Sequence, residues 1–417
     1  MLVCQDRTHT SEVCFTACLC GNRGFMYQGK QVIGIVAEFN PFHEGHRYLI
    51  QKIRERHGDC IVLAVMSGDF VERGEPAIFS KYERTEQALR GGVDMVLEIP
   101  VMFATASAEN FASAGIALLR RTGLVDRLVF GSESGNLSRL DQIAEILVHE
   151  SEYPEFRKTL SEELHKGRSY PAAREQAVRA TLRNRLTPEV EKTGHILEPN
   201  DVLGIEYLKA LKRQGNPFPA DVIVRNTGFA SAHAIRKRIH EGQGEHHERH
   251  ASLNQLSDML SFMLLKLYHD GYDLADYLDV SENLANAVLR HVGENLTFTE
   301  RIQAAKTRNY TYSRVSRALL HILLDIRKTE AVRAAGYFGK EPVPVRVLGV
   351  RADYRELLGQ LAAKPITSMA KYQSEDYEQA SSVSRLLFEH DLFAADLYRL
   401  IYPMDENEYT RRFLVLA

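Results

Sequence analysis

The chain contains no tryptophan, and cysteine is scarce outside its first twenty residues. Cys4, Cys14, Cys18 and Cys20 crowd the N-terminus, and Cys60 alone lies in the body. A disulfide-held secreted fold would spread its cysteines through the domain, so a reducing, cytoplasmic compartment is expected. The spacing C-x9-C-x3-C-x-C does not suit zinc, because C-x-C holds two thiolates awkwardly close for a tetrahedral site. The missing tryptophan removes one common interface anchor and excludes nothing further. No apolar run approaches the roughly 20 residues that span a bilayer, so no membrane partner is expected. The N-terminal stretch has no continuous apolar core of the kind a secretory signal requires. Residues 1–31 therefore read as a disordered extension or the product of an upstream start codon, with Met26 as an alternative start. Charge of one sign is lacking too. With 52 Lys+Arg against 55 Asp+Glu, the net charge of −3 argues against coating nucleic acid by bulk attraction. A local basic patch remains possible, because recognition depends on where charge sits.

What is present is a chain of 417 residues, enough for two or three domains. Apolar runs at Val32–Ala37, Ile61–Met66, Met95–Ile99, Arg127–Phe130 and Asp221–Arg225 read as strands. Helical patterns follow them at about His43–Arg54, Ser80–Arg90, Ala106–Arg121, Ile143–Val148 and Asp201–Leu211, with Ser80 as an N-cap. Strands alternating with helices predict an α/β domain with a parallel sheet over residues 32–240. Ligands bind such sheets beyond the carboxyl ends of the strands. The stretch Glu241–His250, rich in Gly, Glu and His, reads as an exposed loop, with His240, His246, His247 and His250 as loop residues rather than metal ligands. Residues 251–417 read as a mainly helical domain with a short α/β segment, from the strand Val345–Val350 to the helix Tyr354–Ala362, after Glu341-Pro342.

The strongest chemical signal is Gly34-Ile-Val-Ala-Glu-Phe-Asn-Pro-Phe-His-Glu-Gly-His46. His43 and His46 stand three apart at a helix N-terminus, so both rings project from one face toward the strand ends. Free N–H groups and the helix dipole favour a phosphate there, and two imidazoles can neutralise charge developing on an α-phosphate. Gly45 would let a base or ribose approach the backbone. No local H-E-x-x-H or cysteine pair supplies a third zinc ligand, so no metal site is assigned.

This segment resembles the H-x-G-H motif of the nucleotidyltransferase superfamily. A second motif of that superfamily has its counterpart in Ala230-Ser-Ala-His-Ala-Ile-Arg236 after the fifth strand, which implies that Ser231 and Arg236 hold the β- and γ-phosphates. The chain further resembles the bacterial tRNA-Met cytidine acetate ligase family through Met66–Ala77, Lys81, Arg84, Gly91–Pro100, Phe130–Glu133, Glu198–Tyr207 and Lys306–Arg317, across approximately Val32 to Tyr402. The resemblance implies a Rossmann-like nucleotidyltransferase domain, ATP and Mg²⁺ as cofactors, and acetate and elongator tRNA-Met as partners. Acetate would become acetyl-AMP and then acetylate N4 of the wobble cytidine. Carried over by position, the ATP contacts are Val36, Ala37, Glu38, Phe39, Asn40, Pro41, Phe42, His43, Glu44, Gly45, His46, Arg47, Tyr48, Leu49, Gly131, Asn200 and Arg236. The implied catalytic residues are His43, His46, Ser231 and Arg236. Asp69 and Glu44 depart from the family, which often has Asn there; they face away, or Asp69 helps hold Mg²⁺.

Read on their own chemistry, Gly131 leaves room for a nucleotide or is a turn glycine, and Asn200 reads a base edge or caps the helix at Asp201. Arg73, Lys81 and Arg84 either draw in pyrophosphate or RNA, or are solvated surface charge. From Arg301 to Arg317 there are five basic residues, no acidic ones, and two interleaved tyrosines. Cations bind phosphates and tyrosines stack on unpaired bases, so Lys306, Arg308, Tyr310, Tyr312, Arg314 and Arg317 are the candidate tRNA contacts. Two other functions fit part of the pattern. One is a nucleotidyltransferase adenylating a phosphorylated cofactor precursor, which leaves the basic, aromatic run unexplained. The other is a non-catalytic RNA-binding factor, against which intact His43, His46 and Arg236 argue.

Overall fold

Aliphatic and β-branched residues fill five short segments of the chain, and all five become strands buried in one sheet. The computed structural model describes residues 26–182, 198–243, 249–307, 310–338 and 343–417. Cys4, Cys14, Cys18, Cys20, His246, His247, Arg308, Glu341 and Pro342 lie outside the described residues. Strands β1 (Lys30–Ala37), β2 (Ile61–Ser67), β3 (Met95–Ile99), β4 (Arg127–Ser132) and β5 (Ala220–Val224) run parallel in the order β3-β2-β1-β4-β5. Every residue of β2 and β3 is buried, the pattern of strands covered on both faces. Each buried Val, Leu or Ile there contributes roughly 1.5–3 kcal/mol. Strand order reverses at β1, which has β2 on one side and β4 on the other. The carboxyl ends open at that point into a crevice.

Helices α1 (Glu44–His57), α2 (Lys81–Arg90), α3 (Ala108–Thr122), α4 (Leu137–Val148) and α5 (Pro199–Arg213) connect these strands, and α6 (Ala232–His240) follows β5. Ser80 caps α2 as expected, its hydroxyl accepting the Glu83 N–H at 3.3 Å. Beyond residue 250 the chain is mainly helical and includes α7 (Tyr312–Leu323) and α8 (Ser382–Ile401).

Three expectations change. The late strand β6 (Val345–Arg351) does not stand in the helical region but pairs antiparallel with β3 in the main sheet. Pro365–Ile366 and Leu414–Leu416 pair parallel with it, so the sheet is mixed. Periodicity shows that a segment is a strand, not which distant strand it pairs with. The segment expected as the helix Tyr354–Ala362 is a 3-10 stretch, Ala352–Gln360. At the other end, Met26–Tyr27 folds back on Lys30–Gln31, so the sheet begins before Val32.

Lys81 and Arg84 are neither surface charge nor phosphate ligands. Both are buried, at 2% and 0% exposure. Lys81 Nζ lies 2.9 Å from Glu98, 3.3 Å from Glu408 and 3.6 Å from Asp69. Arg84 donates to the carbonyl oxygens of Phe79, Glu38, Ser67 and Gly68, fixing the turns after β1 and β2. A buried cation persists only when paired in this way. Helix α8 closes over the same region, with Tyr398 Oη donating to Ala77 O at 2.8 Å.

After β2 a small hairpin, Phe70–Val71 against Glu75–Pro76, projects beside α7. Gly74 at its turn has φ +75°, and a Cβ there would stand 2.4 Å from Arg317 N. Only glycine lets hairpin and helix meet this closely.

Candidate active site

The turn from β1 into α1 is organised by the two histidines themselves. His43 is the N-cap residue of α1, with extended backbone (φ −147°, ψ 176°). Its Nδ1 accepts the Gly45 N–H at 3.0 Å, and His46 Nδ1 accepts the His43 N–H at 3.2 Å. An imidazole whose Nδ1 accepts carries its proton on Nε2, so both rings present Nε2–H donors. The rings stack with centroids 3.9 Å apart, and Phe39 and Phe42 pack against His46 at 4.9 and 5.5 Å. Gly45 serves this arrangement before any ligand arrives, because a Cβ there would stand 2.7 Å from His43 Cε1.

Burial, then Arg225 and Arg236, lowers His43 to about 4. Burial, then His43 and Arg225, holds His46 well below the usual histidine range. The pair is therefore two neutral donors at pH 7 rather than two cations. Positive charge is supplied by arginines close to the pair. Arg236 Nη1 donates to Asn40 O at 2.7 Å and Nη2 lies 3.4 Å from Glu75 Oε1. Ser231, the N-cap of α6, is exposed and accepts the Ala234 N–H at 3.2 Å. Arg225, just past β5, pairs with Glu133 at 3.0 Å.

Glu133 is the hub of the opposite wall. It accepts from Asn200 Nδ2 at 2.5 Å and from Asp201 N at 3.1 Å. Asp201 in turn accepts from Ser132 Oγ at 2.5 Å and Glu133 N at 3.1 Å. Asn200 is not the cap: Glu198 holds that place and Asn200 lies in the first turn of α5. Gly131 lies within β4 under the Arg225 chain, where a Cβ would meet Cγ at 3.3 Å.

The other positions carried over from the family divide by orientation. Val36, Ala37 and Glu38 end β1 or follow it, and Asn40 Oδ1 accepts the Ile78 N–H at 2.8 Å before the cis Asn40–Pro41 bond. Glu44 and Arg47 face solvent and pair with each other at 3.2 Å. Tyr48 lies 5.9 Å from Phe229, and Leu49 packs into the core beneath α1. Asp69 is buried with Oδ1 accepting the Lys81 N–H at 3.0 Å. Arg225 and Glu133 join the site without belonging to either motif. Their signal was position, since both directly follow strands at the ligand-binding edge.

The basic, aromatic run divides as well. Lys306 and Tyr312 are exposed, and Arg314 lies over the Tyr310 ring at 5.1 Å. Tyr310 Oη is 2.7 Å from Ser281 Oγ. Arg301 is buried and donates to His291 O and Glu294 O, so it belongs to the core. Arg317 pairs with Asp279 at 2.8 Å and Glu72 at 3.5 Å. Of the histidine run, His240 is the last residue of α6 rather than a loop residue, and its ring stands 4.9 Å from that of His250. Among the described residues no three His, Cys, Asp or Glu side chains converge as a metal site, and no helix is long and apolar enough to cross a membrane.

The family described as HIGH Nucleotidyl Transferase matches residues 30–412. A tRNA(Met) cytidine acetate ligase of Thermoanaerobacter sp. (strain X514) is 36% identical over 400 residues, covering 89% of this chain and 95% of that protein. The chain belongs to this ligase family. A member from Fervidobacterium nodosum is 35% identical over 437 residues, covering 92% of this chain and 96% of its own. The crystal structure of Thermotoga maritima TmcAL bound with alpha-thio ATP superposes with a TM-score of 0.81 at 31% identity, covering 93% of this chain and 99% of that one. Most of the fold described above is therefore shared with that structure.

Proposed function

We propose that the chain is an ATP-dependent ligase that joins acetate to the wobble cytidine of elongator tRNA(Met) through acetyl-AMP. The observation that carries this reading is the stacked His43–His46 pair, whose Nε2–H donors have no hydrogen-bond partner among the described residues, beside Arg225 and Arg236. In the first half-reaction an acetate oxygen attacks the α-phosphorus of ATP. The new O–P bond forms as the bond to pyrophosphate breaks, and the electron pair leaves with pyrophosphate. Negative charge grows on the α-phosphate oxygens, which neutral donors fixed beforehand stabilise without reorganising. Arg236 and Ser231 then hold the leaving β- and γ-phosphates, with the planar guanidinium suited to bidentate contact. Arg236 reaches them by leaving Glu75, a partner 3.4 Å away.

Mg²⁺ belongs to this reading as the counter-ion of ATP. The residues present do not form a cage for it: no three ligands converge among the described residues, and Asp69 is committed to Lys81. Its oxygens would come from phosphate and water, as is common for Mg²⁺. On the same reading Lys306, Tyr310, Tyr312 and Arg314 meet the tRNA, cations on phosphate and rings on unpaired bases. Arg308 and Arg317 are carried with them from the family pattern. The reaction uses ATP, acetate and tRNA together, which places the work in the cytoplasm.

The test is the product. Purified protein incubated with ATP, acetate and tRNA(Met) should leave N4-acetylcytidine at the wobble position, read by nucleoside mass spectrometry. Unmodified tRNA beside an adenylated phosphorylated cofactor precursor would instead establish a plain nucleotidyltransferase.

A further inference from the structure

The second half-reaction needs a proton acceptor that the histidines do not provide. The exocyclic amine of cytidine is conjugated with its ring and becomes an effective nucleophile only as it loses a proton. His43 and His46 have their Nδ1 atoms taken by backbone N–H groups and their protons on Nε2, so neither has a lone pair to offer. Most carboxylates of the crevice are engaged as well. Glu133 holds Arg225 and Asn200, Asp201 holds Ser132 and the Glu133 N–H, and Glu75 faces Arg236.

Glu72 is placed differently. It sits in the hairpin turn between the end of β1 and α7, the helix that carries Tyr312 and Arg314. Its backbone N–H donates to Glu38 Oε1 at 2.8 Å, which joins the two residues. Among the described residues its one ion-pair partner, Arg317 at 3.5 Å, is held more closely by Asp279 at 2.8 Å. Its side chain remains a quarter exposed (25%), so a base delivered along α7 can reach it. The hairpin is pinned there by Ser316 Oγ donating to Gly74 O at 2.7 Å.

We propose that Glu72, seated beside Glu38 at the seam between the ATP crevice and α7, is the general base of acyl transfer. The inference rests on the ligase reading above. The amine nitrogen bonds to the carbonyl carbon of acetyl-AMP, and the amine proton passes to the Glu72 carboxylate. The acyl C–O bond breaks, and its electron pair leaves on the phosphate oxygen of AMP.

The surroundings suit a base that works near neutrality. Burial first, and then the Glu38 charge, raises Glu72 to about 7, with Arg317 and Arg73 opposing and Asp279 adding to the rise. Glu38 is itself raised by burial, with Arg236 opposing. From α5 the buried Tyr207, whose hydroxyl donates to Val36 O at 3.4 Å, is near enough to feel the charge of both carboxylates. Glu72 accepts a proton only when ionised, so transfer should speed up as pH rises through about 7.

Two half-reactions measured on the full chain decide the matter. In Glu72→Gln, acetate-dependent ATP–pyrophosphate exchange should persist while single-turnover transfer from acetyl-AMP to tRNA slows about a hundredfold or more and loses its rise with pH. Glu72→Asp should restore the pH-dependent rise in part. In Glu38→Gln the midpoint of the rise should move to lower pH, because a like charge is gone. Transfer by Glu72→Gln at the wild-type rate with an unchanged pH profile would overturn the proposal, as would an unmoved midpoint in Glu38→Gln. Absence of acetate-dependent exchange in the wild-type chain would instead overturn the ligase reading on which it rests.

Discussion

Arg236 Nη1 donates to the backbone carbonyl oxygen of Asn40 at 2.7 Å, so helix α6 is tied directly to the turn that carries His43 and His46. The two sequence motifs, nearly two hundred residues apart in the chain, form one wall. Arg236 is 12% exposed there, and Glu75 is its only carboxylate partner among the described residues. On the proposed reading, a triphosphate entering the crevice would compete with Glu75 for a guanidinium already in place.

Replacing Arg236 with Ala should raise the KM for ATP about ten- to a hundredfold, since charged hydrogen bonds contribute about 1.5–3 kcal/mol. Arg236→Lys should recover only part of this, because a point charge does not reproduce a planar fork. Steady-state exchange kinetics measure both. Unchanged KM in Arg236→Ala would contradict the phosphate role.

His43→Ala and His46→Ala should each slow exchange about a hundred- to a thousandfold, while the lost cap lowers stability by only about 1 kcal/mol and leaves the chain folded. Gly45→Ala should mimic His43→Ala without touching a functional group, since its Cβ would displace the His43 ring from 2.7 Å. Full activity in Gly45→Ala would show that the stacked geometry is dispensable.

The pH dependence of His43 has a definite sign. Its folded-state value is about 4, below the usual 6.5, because of burial and two arginines. Between these values the unfolded chain binds the extra proton, so stability rises with pH across that window. The contribution is fully present above about 6.5 and lost as pH falls toward about 4. ¹⁵N NMR of the ring should show the Nε2–H tautomer unchanged from pH 8 to 6. A ring titrating near 6.5 would contradict the neutral-donor account.

Lys81→Ala should destabilise the fold by about 3 kcal/mol, because buried Asp69 would lose its ion pair and Glu98 and Glu408 would share Arg346 alone. Denaturant unfolding measures it. A loss under about 1 kcal/mol would show that the cluster protonates and relaxes instead.

Lys306→Ala and Arg314→Ala should weaken tRNA binding and each reduce the salt slope of log K by about 1, without altering exchange. Arg317→Ala differs, because Arg317 is already paired within the protein to Asp279 and Glu72. It should lower thermal stability as well. Equal salt slopes in wild type and Lys306→Ala would remove that residue from the interface.

The parallel strands were legible because each is a short apolar run between turn signals. Met95–Ile99 begins and ends where its pattern does, and Ser80 caps α2 for the reason its residue type suggests. Pairing over long separations was not legible, and β6 joins β3 from some 250 residues away. Charge was the other weakness. Lys81 and Arg84 look like any surface cations until Glu408 and four backbone carbonyls are seen around them. At the site, the spacing of His43 and His46 marked the turn from β1 into α1 as the place where side-chain donors gather. Their neutrality and shared Nε2–H tautomer depend on burial and on backbone donors that no spacing records.

Acetate-dependent exchange of labelled pyrophosphate into ATP, in the absence of tRNA, tests the central claim most directly. The expected result is exchange that requires acetate, saturates with it and disappears in His46→Ala. Exchange that ignores acetate but responds to a phosphorylated small substrate would contradict the account.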